Sequence, residues 1–195
     1  MVPAHQQISN AISAHPVLFR TFQDPAQSPA ALIADLARPG PRNQISRDEL
    51  MEIGLRKLLK VQDISRIRRN LGQNSDGEVR AASCAAFRAQ GDEEAIGALI
   101  GLSGVQVAVG SAILSWCFPA MWPVIDRHAW GALAAFGLLP GRHAAYRFTA
   151  ADYAQYCQIM RLISETTGRR PQELDTWLYS FGKCGLRVED VRPGM

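Results

Sequence analysis

Apolar positions along the chain recur at helical spacing, and no stretch keeps the alternation of a strand, so the pattern predicts an all-α fold. Residues 8–22 carry apolar side chains at that spacing but are interrupted by His15-Pro16. Prolines at 25, 29, 39 and 41 bound a short helix over 29–37, and 38–43 form a turn-rich connection. Ser46 with Glu49 three residues later predicts a capping box, and Ile45 with Leu50 a hydrophobic staple. The helix so opened reaches about Leu59, with Leu50, Ile53 and Leu58 on its apolar side. A more basic helix follows over 61–70, then a loop over 72–77 and a helix over 76–90, which Gly91 ends in the C′ role. Asp92 is expected to cap the next helix. Later helices are expected over 127–136, stopping at Gly137, and over 153–166, opened by Thr149 with Asp152 and ended by Gly168. Pro171 opens the last one, which ends near Gly182.

With 195 residues, 47% of them hydrophobic and 20% charged, the chain can bury one sizeable core. No repeat or linker divides it, so a single domain over 1–195 is expected. The stretch 95–125 carries no formal charge and has the length of a membrane span. Leu102-Ser103-Gly104-Val105-Gln106 splits it into two pieces too short to cross hydrocarbon, so a buried helical hairpin is expected over about 92–117, and no membrane partner. Cys84, Cys117, Cys157 and Cys184 form no CxxC pair and no metal-finger spacing. With no secretory pattern over 1–10, they are expected to be reduced thiols in a cytoplasmic protein, with no metal site. The net charge of +3 suits a nucleic-acid partner without requiring one.

The chemistry concentrates in two neighbouring runs. In the first, a glycine turn leads into Val107-Ala108-Val109-Gly110-Ser111, and the backbone N–H groups that open such a helix favour phosphate. The second, Pro123-Val124-Ile125-Asp126-Arg127-His128-Ala129-Trp130, sets a lone carboxylate after an apolar approach, where the next helix begins. A plain N-cap is the bland reading of Asp126.

Together the runs resemble the helix-hairpin-helix (HhH-GPD) DNA glycosylases, the superfamily of endonuclease III and the 8-oxoguanine and 3-methyladenine enzymes. Its L-P-G-V-G hairpin appears here as Leu102-Ser103-Gly104-Val105-Gln106, and its V-D-x-H segment as Ile125-Asp126-Arg127-His128, at the family's separation over about 35 residues. The resemblance implies a compact helical glycosylase fold acting, as a monomer, on double-stranded DNA with a damaged or modified base. The base is flipped from the stack into a pocket. Asp126 is the implied catalytic group, and His128 a structural hydrogen-bonding neighbour. Leu102, Gly104, Val105, Gln106 and Ala108 are the implied DNA-binding hairpin. Ala108 stands where bifunctional members hold a Schiff-base lysine, which implies base removal without strand nicking. The C-terminal four-cysteine signature is missing, so no iron–sulfur cofactor is expected. Gln106 replaces the second hairpin glycine, at the place where family members hold a monovalent cation through carbonyls.

Gln44, ahead of Ser46, is the candidate wedge that fills the gap left by a flipped base. Arg66, Arg68 and Arg69, with Arg56, Lys57 and Lys60, form a basic stretch suited to phosphates or simply a solvated helical face. Among the four tryptophans, Trp116, Trp122 and Trp130, with His128, are candidates for the base pocket, although tryptophan at helical spacing is more often core. No motif selects a base. A hypermodified phage base such as glucosylated hydroxymethylcytosine, and hence an antiviral role, is one expectation. A non-catalytic helix-hairpin-helix DNA-binding module is the alternative.

Overall fold

In the computed structural model, residues 2–14, 42–58, 64–143, 146–185 and 187–191 are described. The helix expected over 29–37 and the second half of the segment 8–22 lie outside them. The described residues form helices joined by turns and irregular segments and contain no strand: α1 Ala4–Ala14, α2 Arg47–Lys57, α3 Ile64–Leu71, α4 Asp76–Arg88, α5 Asp92–Ile100, α6 Val107–Cys117, α7 Arg127–Ala135, α8 Ala150–Thr167, α9 Pro171–Lys183 and a short 3-10 turn, Val188–Val191.

Helix α6 lies at the centre. It is apolar on every side, and Val107 and all residues from Val109 to Trp116 are buried, as a helix without a polar face must be. Helices α2 and α5 pack on it, α4 and α8 flank α5, and α7 and α9 form the most extensive pair. None of the described helices is long and apolar enough to cross a membrane. The uncharged stretch is spent on α5, the hairpin and α6.

Local signals set most boundaries. Ser46 and Glu49 exchange both bonds of a capping box, and so do Thr149 and Asp152. Ile45 and Leu50, the staple pair, are fully buried. Gly137 and Gly168 end their helices at φ of +74° and +66°, where a side chain is disfavoured. A third capping box, Ser75 with Glu78, opens α4.

Two expectations are corrected between α4 and α5. Gly91 does not end α4 in a left-handed cap: α4 closes at Ala89, and Gly91 is extended, at φ −139°, as the N-cap residue of α5. Asp92 is therefore the first residue of α5 rather than its cap. Its carboxylate reaches inward instead, accepting the Trp122 indole N–H at 3.0 Å and the Arg161 guanidinium at 2.8 Å. The bond joins α5, the segment before α7, and α8.

The α7–α9 pair brings backbone against backbone at Gly182. A Cβ there would collide with the carbonyl oxygen of His128, which belongs to a helix and cannot swing aside. We therefore expect Gly182→Ala to cost about 2 kcal/mol, lowering the Tm by about 4–8 °C in thermal unfolding, whereas Gly131→Ala, where a Cβ meets nothing and alanine is the better helix former, should raise it slightly.

Candidate functional site

Asp126 ends an irregular, buried strap. Trp122, Pro123, Val124 and Ile125 are all buried, so their backbone polar groups need partners within the protein. Three helices supply them. Tyr153 of α8 donates its hydroxyl to the Pro123 carbonyl at 3.0 Å. Ser111 of α6 accepts the Ile125 N–H at 3.2 Å while donating its own hydroxyl to the Ala108 carbonyl. Lys57, the last residue of α2, donates its ammonium to the Ile125 carbonyl at 3.4 Å.

With the strap fixed, Asp126 is the N-cap of α7. Its Oδ1 accepts the N–H groups of His128 at 2.7 Å and Ala129 at 2.9 Å. Oδ2 is buried and has no hydrogen-bond partner among the described residues. Capping therefore uses one oxygen and leaves the other uncommitted.

Two more ionisable groups face this carboxylate. Lys57 is half-buried, and loss of water lowers its pKa against the opposing pull of Asp126 and Asp175. Asp175 of α9 is 2% exposed and accepts the Tyr156 hydroxyl at 3.0 Å. Burial first, and then the Asp126 charge, push the Asp175 carboxyl well above the ordinary range, although Lys57 and Tyr156 pull it back. One lysine amine and two carboxyls from separate parts of the chain thus act on one another in a buried site, where Asp175 is drawn toward its protonated form. His128 lies just beyond, its ring edge-on to Tyr179 with centroids 5.3 Å apart.

The hairpin forms a second feature. Gly104 adopts φ +77°, and a Cβ there would lie 2.9 Å from Asn70, so both conformation and space demand glycine. Gln106 is extended at φ −98°, a conformation open to any residue, so the departure from glycine leaves the turn intact. The buried side chain of Asn74 pins the turn, accepting the Ser103 N–H at 2.8 Å and donating to the Ser103 and Leu71 carbonyls, both at 2.9 Å. Gln106 provides no side-chain cap for α6, so the first N–H groups of that helix face outward uncapped. They open into a groove of about 300 Å³ lined by Gly104, Gln106, Ala108, Asn70, Arg66 and Arg147, among others. Leu102 and Val105 are buried beneath the turn, 8% and 4% exposed, and can meet a ligand only through their backbone.

The other candidate residues are dispersed. Arg66 reaches the groove, whereas Arg68 and Arg69 are exposed on α3 and do not line it. Gln44 lines a separate groove with Arg42, Arg80 and Arg88, which shares no residue with the hairpin groove. Trp122 is a core strut held by Asp92. Trp116 is buried with Arg42 over its ring at 5.3 Å, and its indole N–H has no hydrogen-bond partner among the described residues. Trp130 and His128 line a groove with Arg127, Arg142 and Tyr146; the Trp130 ring stacks on Tyr156 at 17°, and its N–H donates to the Pro140 carbonyl. Trp177 is fully buried. The four cysteines are free, and burial raises the Cys117 thiol to about 12, too high for a nucleophile.

Asp175, Asn74 and Arg147 were not singled out in the sequence, and Lys57 was read only as part of the basic stretch. Lys57 in particular belongs to the site and not to the phosphate-facing stretch in which its neighbours place it. Compared with protein families, curated proteins and solved structures, the chain matches none.

The raised Asp175 carboxyl gives a pH signature. In the unfolded chain this acid ionises near pH 4, whereas in the folded protein it keeps its proton further up the scale. Its contribution to stability is full below the unfolded value and is lost as the pH rises through the folded one. Asp175→Asn preserves an acceptor for Tyr156 and cannot titrate. Between about pH 4 and about pH 7 the variant's Tm should therefore fall less than that of the wild type in parallel thermal melts.

Proposed function

We propose that the protein is a monofunctional DNA glycosylase, which hydrolyses the N-glycosidic bond of a flipped, damaged or modified base and leaves an abasic site. The observation that carries this reading is the Asp126 carboxylate, with Oδ1 fixed by two backbone N–H groups and Oδ2 buried and unpartnered. Leaving an acceptor unpaired away from water is costly, and such groups concentrate where chemistry uses them. Departure of a base builds positive, oxocarbenium-like charge on the sugar. A preorganised carboxylate in a water-poor site stabilises that charge and orients or deprotonates the attacking water.

The hairpin groove suits the other half of the task. The uncapped N-terminus of α6 attracts a phosphate, and Arg66 and Arg147 in the groove lining add positive charge. Backbone N–H groups and arginine grip the DNA without reading its sequence, which leaves selection to the base pocket. We propose that the enzyme acts as a cytoplasmic monomer and that its substrates extend to hypermodified phage bases such as glucosylated hydroxymethylcytosine.

Base release from duplexes carrying damaged bases, from ordinary genomic DNA and from hypermodified phage DNA tests this directly, with free bases read by mass spectrometry. The wild type should release a base. Asp126→Asn, which keeps an Oδ1 cap, should bind the same DNA and release none. DNA binding without release from any substrate would instead identify a helix-hairpin-helix binding module.

The groove has its own test. Arg147→Ala should weaken binding about equally for every duplex, and the slope of log affinity against log salt should become shallower by about 1.

A further inference from the structure

The irregular stretch ahead of α8 divides two basic grooves. Arg147 lines the hairpin groove, whereas its neighbours Tyr146 and Phe148 line the groove along α7, so the two grooves share one wall. The α7 groove encloses about 390 Å³, within the range of small-molecule sites. Arg127, Arg142, His128 and His143 line it, and no acidic residue does. Arg127, Gly131 and Ala134 stand at i, i+4 and i+7 of α7, hence on one face, and the two small residues leave the floor open.

Arg142 is not held like an ordinary surface arginine. Its guanidinium donates to Asp152 Oδ1 at 2.9 Å and lies over the Tyr146 ring at 4.4 Å and the Trp130 ring at 5.7 Å. Asp152 is buried and fixed in turn by the Tyr146 hydroxyl and by the Thr149 N–H and hydroxyl, each at 2.8 Å. Burial raises the Asp152 pKa, but these donors outweigh it and keep the carboxyl below the ordinary range, so the ion pair stands at neutral pH. The guanidinium is thereby oriented in advance, with part of its planar fork exposed. Anchoring the chain ahead of α8 accounts for the ion pair. It does not account for Arg127, which brings a second positive charge to the same groove and has no carboxylate partner among the described residues.

We propose that the α7 groove binds a nucleotide whose base is unpaired, with the base against the exposed Tyr146 ring and the phosphate on Arg142 and Arg127. A guanidinium fork matches two phosphate oxygens, and an aromatic ring takes the face of any base. Trp130 is buried beneath Arg142, so the ring offered to the ligand is Tyr146 and not the tryptophan. Asp126 does not line this groove, so the site is independent of base excision. The same ring and anion come from two sources: a nucleotide within a single strand, which the shared wall leads on from the hairpin groove, and a free nucleoside monophosphate.

Three titrations of the intact protein test the site: labelled oligothymidylate as a single strand, the same strand paired with oligodeoxyadenylate, and thymidine monophosphate. Gly131→Leu fills the groove without removing a charge, at a position where a Cβ meets nothing. It should weaken binding of the single strand, of the monophosphate or of both by about tenfold, with the duplex affinity unchanged. Whichever ligand the wild type binds and the variant loses is the source. Inorganic phosphate should not displace that ligand at the concentrations where thymidine monophosphate or unlabelled strand does. A thiothymidine photoprobe, as strand and as monophosphate, should cross-link the wild type at Tyr146 or at its neighbours in the groove, a result that does not depend on the stability of any variant. Displacement by phosphate alone as effective as by the nucleotide reduces the groove to an anion site and overturns the proposal. So do cross-links confined to the hairpin groove, an equal loss of duplex binding in Gly131→Leu, unchanged affinities in that variant, or a wild type that binds neither strand nor monophosphate.

Discussion

A segment with no regular secondary structure runs through the core from Trp122 to Ile125, and its backbone must be hydrogen-bonded without help from water. That requirement organises the centre of the molecule. Tyr153 from α8, Ser111 from α6 and Lys57 from α2 converge on four residues, so three helices are registered against a single strap. Asp126 follows directly, and its position is determined before its own interactions are counted. The N-cap bonds to His128 and Ala129 then turn the chain into α7, which is locked to α9 at Gly182. Each carboxylate and the lysine arrive on elements already fixed by packing, which is the condition for a site that holds its geometry.

The electrostatics follow from the same burial. Two carboxylates close together in a place poor in water cannot both be charged cheaply, and one ammonium can balance only one of them. The two acids differ in their supports. Asp126 stands at a helix N-terminus with two N–H donors on one oxygen, whereas Asp175 is buried with a tyrosine hydroxyl, and burial holds its carboxyl above the ordinary range. A buried acid displaced in this way beside a second carboxylate is characteristic of catalytic centres.

What was legible in the sequence is what acts over a few residues. Capping boxes at Ser46 and Thr149, the proline that opens α9, the glycine turn at Gly104 and the cap at Asp126 are each set by neighbours in the chain. The misreadings share one cause. Gly91 and Asp92 look like a stop followed by a start, but the link is so short that Gly91 takes the N-cap place, and Asp92 is drawn inward by Trp122 and Arg161, which lie 30 and 69 residues away. Lys57 sits 68 residues from the carbonyl it binds, in a basic run that reads as a solvated face. No local pattern separates a lysine that turns inward at the end of a helix from one that does not. Asp175 is hidden for the same reason, because its isolation from water is a property of α9 against α7 and not of its own surroundings in the chain. Of the tryptophans, the composition suggested a stacking wall, yet Trp122 and Trp177 are spent on the core, while Trp130 borders a groove beside His128.

Helix α6 ties the two halves of the proposed site together. Its first turn opens the hairpin groove at Gln106 and Ala108, and its second turn carries Ser111, which holds the strap that ends at Asp126. An α-helix rises 1.5 Å per residue, so Ala108 and Ser111 are separated by about 4.5 Å along a rigid axis. The same pair is also linked directly, since Ser111 donates to the Ala108 carbonyl while accepting the Ile125 N–H. A phosphate gripped at the start of α6 would thus be registered against the carboxylate through one hydrogen-bonded serine, with no flexible loop between them. Catalytic gain from orientation depends on that kind of fixed separation. On the proposed reading, the hairpin does more than attach the protein to DNA: it sets the distance at which a flipped sugar meets Asp126.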